Sequence, residues 1–335
     1  MYQLLKSTKE EFNTIILNSA AKKGINAAIV EKDFWVCITL DYLFNHSKWK
    51  NQFAFKGGTC LSKVYHLIER FSEDIDLIMD WRILGYSIKE PWEERSNTKQ
   101  LEFIEESRDR LFTFLKNDFL PEFKSGMSKL VGFEINAYIS DDDLGSVLFA
   151  YPSSYSDPSI LKVIKLEAGV LSGWMPLNKR IIKPFVAEEY PSIFSYSNIE
   201  LLATTPDRTF WEKATILHQE AFRPENSLMP SRYSRHYYDL YCMIKKGIGD
   251  VAINNLKLLE DVALFKMKFY PRKWARYDLA KSGTIKLLPA SHSLERLKKD
   301  YFDMRSMIYG DYPSFEEILK TIDAFEKMLN KKIKR

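Results

Sequence analysis

Cysteine is scarce in this chain: three among 335 residues, Cys37, Cys60 and Cys242, far apart and with no CxxC pair. They offer neither a disulfide framework nor a zinc-ligand spacing, and read as the reduced thiols of a cytoplasmic protein. No stretch reaches the roughly 18 apolar residues of a membrane span, so no membrane association is expected. The opening segment, MYQLLKSTKEEFNTIILNSA, reads as a polar amphipathic helix and lacks the profile of a secretion signal. There is no internal repeat and no low-complexity tract. Neither sign of charge dominates: 49 Lys and Arg face 45 Asp and Glu, a net charge of +4 with a pI of about 8.6. That balance permits a nucleic-acid partner but is not the clustered footprint of a domain above about pI 9.

What is present concentrates in residues 53–80, FAFKGGTCLSKVYHLIERFSEDIDLIMD. Phe53–Phe55 is a short apolar run that ends at Lys56-Gly57-Gly58-Thr59. Leu61, Val64, Tyr65 and Ile68 then fall at i, i+3, i+4 and i+7, the spacing of a helix. A second apolar run carries Asp74 and Asp76 between Ile75, Leu77 and Ile78. The pattern predicts strand, glycine turn, helix, strand. On a strand, i and i+2 point the same way, so the two carboxylates share one face while Ile75 and Leu77 enter the core. Adjacent carboxylates are unfavourable without a cation or proton between them, and Mg²⁺ is usually held by one or two carboxylates plus substrate phosphates. Two residues without Cβ let backbone N–H groups approach a phosphate, and the helix that starts there adds its positive end. The expectation is a metal–nucleotide site: Lys56, Gly57, Gly58 and Thr59 on the triphosphate, with Lys63, Arg70 and Ser72 nearby, and Asp74 and Asp76 on Mg²⁺. A lone DxD would more often be an exposed pair on an edge strand. Here it follows a Gly-Gly turn and a helix, with fifteen residues between Gly58 and Asp74.

This stretch resembles the signature of the DNA polymerase β-like nucleotidyltransferase superfamily. More closely, KGGTCLSKVYHLIERFSEDIDL is similar to the AbiEii/AbiGii toxin family, which includes the MenT toxins. The resemblance extends to the EKDFWV segment at Glu31-Lys32-Asp33, to PDRTFWEK, and to RHYYDL. It implies functional roles for Lys213 and Asp239, a lysine that neutralises charge on the leaving pyrophosphate among them. It also implies the toxin half of a toxin–antitoxin pair with a cognate antitoxin, a role such as growth arrest under phage attack (abortive infection), and tRNA 3′ ends as acceptor.

Other segments leave two readings open. Glu31, Lys32 and Asp33 are either a solvated first turn or place Lys32 at the mouth of the site. Arg95, Ser96 and Lys99 begin a charged helix predicted over 97–123, as a plain helix start or an anion contact. Strands are predicted at 131–138 and 147–151, joined by Ser140-Asp141-Asp142-Asp143, a small acidic loop before a metal site. Residues 161–171 read as a strand with Lys165 and Glu167 on one face. The polymerase β-like resemblance implies a third carboxylate on a strand next to the DxD strand, a position Glu167 could fill as a metal ligand or base; otherwise it faces solvent with Lys165. Pro176, Pro184 and Pro191 mark a looser region. Thr204-Thr205-Pro206 opens a helix on which Phe210, Ala214 and Leu217 face the core and Arg208 pairs with Glu212. Asp239 pairs with Arg235 at i, i+4, a role compatible with a catalytic one, and His236 serves either a phosphate or the fold. Arg272, Lys273, Trp274, Arg276 and Tyr277 suit RNA contacts or a helical core with solvated cations. The tail NKKIKR reads as a solvated end.

The expected architecture is α/β (α+β): a nucleotidyltransferase core with a mixed sheet and flanking helices over 1–198, then a mainly helical part over 199–335 that completes the cleft. The expected activity is Mg²⁺-dependent transfer of a nucleoside monophosphate from an NTP to an acceptor hydroxyl. The alternatives are a transferase acting on protein or a small molecule, and a non-enzymatic NTP-binding regulator.

Overall fold

The computed structural model describes residues 1–158, 160–169 and 175–331. The elements run α1 (Lys9–Lys23), α2 (Ala27–Asp41), β1 (Phe53–Lys56), α3 (Gly57–Lys63), β2 (Ile75–Met79), α4 (Asn97–Phe114), α5 (Leu120–Val131), β3 (Asn136–Ile139), β4 (Ser146–Ala150), β5 (Ile164–Gly169), β6 (Leu177–Ile182), α6 (Phe185–Glu189) and β7 (Ile199–Thr204). Helices dominate the C-terminal portion: α7 (Pro206–Ala221), α8 (Arg235–Lys245), α9 (Ile248–Ile253), α10 (Leu256–Phe269), α11 (Leu294–Asp303) and α12 (Phe315–Lys331). The expected mixed α/β class with a mainly helical C-terminal part is what the chain adopts. Among the described residues no helix is long and apolar enough to cross a membrane.

Two compact units divide the chain: Met1–Val64 with Phe71–Ala203, and Tyr65–Arg70 with Thr204–Arg335. The first is built on a seven-stranded sheet in the order β3-β4-β5-β2-β1-β7-β6. β1 and β2 are antiparallel, with Lys56 opposite Asp76, and β2 and β5 are parallel, with Asp76 opposite Glu167. These central strands alternate or run apolar because helices cover them: Phe53, Phe55, Phe123 and Phe149 are fully buried with Phe34 of α2. Each such ring removed from water stabilises the fold by about 1.5–3 kcal/mol. α1 begins where Thr8 and Glu11 form a reciprocal capping box and stops at left-handed Gly24, as the Ser-Thr-x-Glu-Glu pattern predicts. α2 is buried along nearly its whole length, charged residues included.

Three boundaries differ from expectation. The helix after the glycines ends at Lys63, although the apolar spacing runs on to Ile68. His66 takes a left-handed φ of 52°, which breaks the helix, and the Tyr65 hydroxyl donates to Thr204 O at 2.9 Å, so Tyr65–Arg70 joins the second unit. Val131 closes α5 instead of opening a strand, because Met127 and Val131 carry the apolar face of that helix into the core. The proline-marked segment holds β6 and α6. Residues 170–171 of the predicted strand and 332–335 of the tail lie outside the described residues.

The second unit packs α7 through its expected face: Phe210, Ala214 and Leu217 are fully buried. Phe210 meets Phe325 of α12 edge-on, with ring centroids 5.1 Å apart. Arg208 pairs with Glu212 at 2.9 Å. The Arg272–Tyr277 segment is largely spent inside this unit. Tyr277 is buried and donates to Gln219 Oε1 at 2.5 Å, Trp274 receives Arg223 over its ring at 5.0 Å, and Arg276 pairs with Asp278 at 3.0 Å.

Candidate active site

β1 delivers Lys56 and the glycine turn to one end of the sheet, and β2 carries Asp76 beside it, with Asp74 immediately ahead of the strand. Burial alternates as the strand pattern requires: Asp74 and Asp76 are half-exposed while Ile75 and Leu77 are buried. Residues opposite each other in neighbouring strands project from the same face. Lys56, Asp76 and Glu167 therefore form one row across three strands. Gly57 sits at φ +81°, and a Cβ built on it would lie 1.8 Å from Asp76 Oδ2. The glycine is thus required twice, by backbone conformation and by the carboxylate resting against its Cα. Thr59 donates its hydroxyl to Asp74 O at 2.6 Å, which locks the start of α3 to the backbone between Glu73 and Ile75.

The electrostatics favour a cation. Burial first, then Glu73, pushes the Asp74 carboxyl above its usual range; Lys165 and Lys32 oppose the shift and Glu167 adds to it. A group held this way gains from a divalent ion between it and its neighbours. Among the described residues no group of three His, Cys, Asp or Glu side chains could hold a metal alone. Two carboxylates at i and i+2 are by chemistry the kind of donor set a hard ion takes when phosphates complete its shell. Glu167 is exposed and pairs with Lys165 at 3.1 Å. Lys165 also meets Asp143 at 3.0 Å, so the last of the three acidic-loop aspartates serves this ion pair.

Two residues expected beside the nucleotide are paired with carboxylates of the protein itself. Lys63 is buried and its ammonium pairs with Asp33 at 2.7 Å, with the Phe185 ring 3.8 Å away. A short helix turns this side chain back onto α2. Arg70 falls in the second unit, where it grips Asp239 through two parallel bonds, Nε to Oδ1 at 2.6 Å and Nη2 to Oδ2 at 2.8 Å. Ser72 is half-buried between them in sequence, outside any regular element.

Lys213, Asp239 and Arg70 come together in the second unit. Lys213 Nζ is 2.7 Å from Asp239 Oδ2 and 3.4 Å from His236 Nδ1. Asp239 is fully buried. Burial alone would raise its carboxyl, but Arg70 and then Lys213 hold it well below the carboxylate range. Burial, with Arg70 adding, lowers the Lys213 ammonium against the pull of Asp239. His236 is pushed well below its usual value by burial and then by Lys213, which keeps its ring neutral.

Glu31-Lys32-Asp33 is not a solvated first turn: all three are buried. Glu31 accepts from Ser154 N at 2.8 Å and Tyr155 N at 3.1 Å. Lys32 donates to Glu73 Oε2 at 2.6 Å and Leu161 O at 2.8 Å. Asp33 accepts from Phe185 N at 2.7 Å besides pairing with Lys63. The signal for this was present: three charges inside a segment otherwise apolar on every side. Glu73, next to Asp74, also escaped the sequence reading. Arg95, one side of the anion question, is spent on Glu90 O at 2.7 Å and Glu93 O at 3.0 Å, and Ser96 simply caps α4.

Gly57→Ala is expected to cost about 1–2 kcal/mol from its left-handed backbone alone and to push Asp76 aside. Thermal unfolding should show a modest loss and nucleotide transfer a much larger one. Equal, small losses in both would show that Asp76 does not depend on this glycine.

A mixed sheet with a glycine turn set against paired carboxylates defines a nucleotidyltransferase type of site. The chain belongs to the family described as nucleotidyl transferase AbiEii toxin, Type IV TA system, whose model matches residues 39–329. It is a nucleotidyltransferase of the toxin class, and membership implies a nucleoside triphosphate substrate and an antitoxin partner. Among solved structures, the chain is similar to JHP933 from Helicobacter pylori (13% identity, TM-score 0.45, covering 91% of this chain and 93% of that one). It is also similar to MenT4, a nucleotidyltransferase toxin from Mycobacterium tuberculosis H37Rv (15% identity, TM-score 0.45, covering 95% and 98%). Comparison with curated protein sequences finds no match.

Proposed function

We propose that the protein transfers a nucleoside monophosphate from an NTP to an acceptor hydroxyl at the 3′ end of tRNA, acting as a toxin in the cytoplasm. The observation that carries the chemistry is the row in which Asp76 rests against Gly57 and stands opposite Glu167. Asp74 and Asp76 would hold Mg²⁺, which when bound draws charge off the triphosphate. Lys56 and the backbone of Gly57, Gly58 and Thr59 seat the phosphates. Glu167, one strand away from Asp76, would serve as a base toward the acceptor hydroxyl. Lys213, its ammonium held by Asp239, keeps the charge role that the family resemblance implies.

Each α-labelled NTP is incubated in turn with total tRNA or with total protein. Label on tRNA, dependent on Mg²⁺, is the expected outcome. Label on protein alone would reject the tRNA acceptor while leaving nucleotidyl transfer in place.

A further inference from the structure

β2 and β5 carry the acidic row, yet nothing local sets their register. They are parallel neighbours, and α4, α5, β3 and β4 intervene in the chain, so no hairpin turn fixes one against the other. A slip by one residue would turn Glu167 to the opposite face. A contact from α2 reaches the lead-in of both strands. Lys32 Nζ donates to Glu73 Oε2 at 2.6 Å and to Leu161 O at 2.8 Å. Leu161 N donates in turn to that same Glu73 oxygen at 3.2 Å. Glu73 directly precedes Asp74, and Leu161 leads into β5. One ammonium thus closes a ring that includes the lead-in of each carboxylate-bearing strand.

Lys32 is fully buried and Glu73 nearly so. Burying such a pair seldom adds stability over apolar residues of the same volume. The neighbouring residue extends the same logic, since Asp33 holds Lys63 at the end of the helix that opens with Gly57 and Gly58.

We propose that Lys32 is a positioning residue of the metal–triphosphate site, setting Asp74 and Asp76 against Glu167 by tying Glu73 to Leu161. This rests on the reading of Asp74 and Asp76 as metal ligands. The test is the full-length chain carrying Lys32→Met together with Glu73→Gln, which leaves no buried charge without a partner. Three quantities are compared with wild type: the thermal midpoint, the affinity for Mn²⁺ alone by calorimetry, and the Mg²⁺ concentration for half-maximal label transfer to total tRNA. The midpoint should stay within about 5 °C. Mn²⁺ affinity should fall by about tenfold to a hundredfold, as for other groups that orient metal ligands, with a matching rise in the Mg²⁺ requirement. Wild-type Mn²⁺ affinity in the double variant, where Asp74→Ala abolishes binding, would overturn the role of Lys32 and leave the metal site intact. Wild-type affinity in Asp74→Ala and Asp76→Ala would overturn the metal reading, and the Lys32 role with it. If the double variant does not fold, Lys32→Arg decides: it keeps the charge but displaces Glu73, and unchanged Mn²⁺ affinity in it would overturn the proposal.

Discussion

Replacing Asp76 by alanine is expected to cut nucleotide transfer by about a thousandfold, the upper end of what removal of one preorganised charged contact costs. Catalysis of phosphoryl-type transfer is almost entirely positioning and charge stabilisation. Asp76 faces Gly57 and stands beside Lys56 on one strand and beside Glu167 on the other, so in the proposed reaction it would serve both. The fold does not lean on it to the same extent. Its side of β2 is the half-exposed one, while Ile75 and Leu77 carry the core contacts. Stability should change by about 1 kcal/mol or less. The measurement is label transfer from NTP under saturating Mg²⁺, paired with chemical denaturation and with growth of cells expressing the variant. A fully active, fully toxic Asp76→Ala protein would reject the catalytic row and favour a binding-only mode of action.

The strand–glycine–helix–strand core was legible because its signals are local. Period-2 burial around Asp74 and Asp76, and two adjacent residues without Cβ, are properties of a few consecutive positions. The capping box at Thr8 and Glu11 and the proline start of α7 were legible for the same reason. The pairing of Asp76 with Glu167 was only half legible: an acidic residue inside an apolar run stands out, but the register that puts it opposite Asp76 is a property of two strands far apart in the chain.

Charge partners were the part that sequence spacing could not supply. Arg235 and Asp239 satisfy the i, i+4 rule, yet the residues that grip Asp239 are Arg70 and Lys213, which are 169 and 26 positions away. Lys63 and Arg70 follow the glycine turn closely in sequence, but the break at His66 sends Arg70 into the second unit, and Lys63 is drawn to Asp33. The EKD trio shows the same limit from the other side. A burial pattern that is apolar all round announces a helix inside the core, and a charge on such a helix must find an opposite charge or a backbone donor; which one it finds depends on the tertiary fold.

Asp239→Ala is expected to destabilise the second unit by about 3–5 kcal/mol, because it strands two buried cations. Arg70 and Lys213 reach this carboxylate at 2.6–2.8 Å, and Asp239 itself is fully buried. Asp239→Asn keeps the shape and should cost less while exposing the pH dependence. In the unfolded chain an aspartate titrates near about 3.9, whereas Arg70 and Lys213 hold the folded carboxyl well below that, against burial. The unfolded state therefore binds the proton first as pH falls. The stability that Asp239 supplies is complete above about pH 4 to 5 and is lost as the pH drops through the folded value. His236 acts in a higher window. Burial and Lys213 keep its ring neutral when folded, while the unfolded imidazole takes up a proton near about pH 6.5. Stability should thus begin to decline below about pH 6.5 and fall faster below about pH 4. Urea midpoints at pH 7.5, 5.5 and 3.5 measure both limbs. Asp239→Asn should flatten the lower limb and leave the upper one, and a variant profile parallel to wild type down to pH 3.5 would show that Arg70 and Lys213 do not hold this carboxyl below its unfolded value.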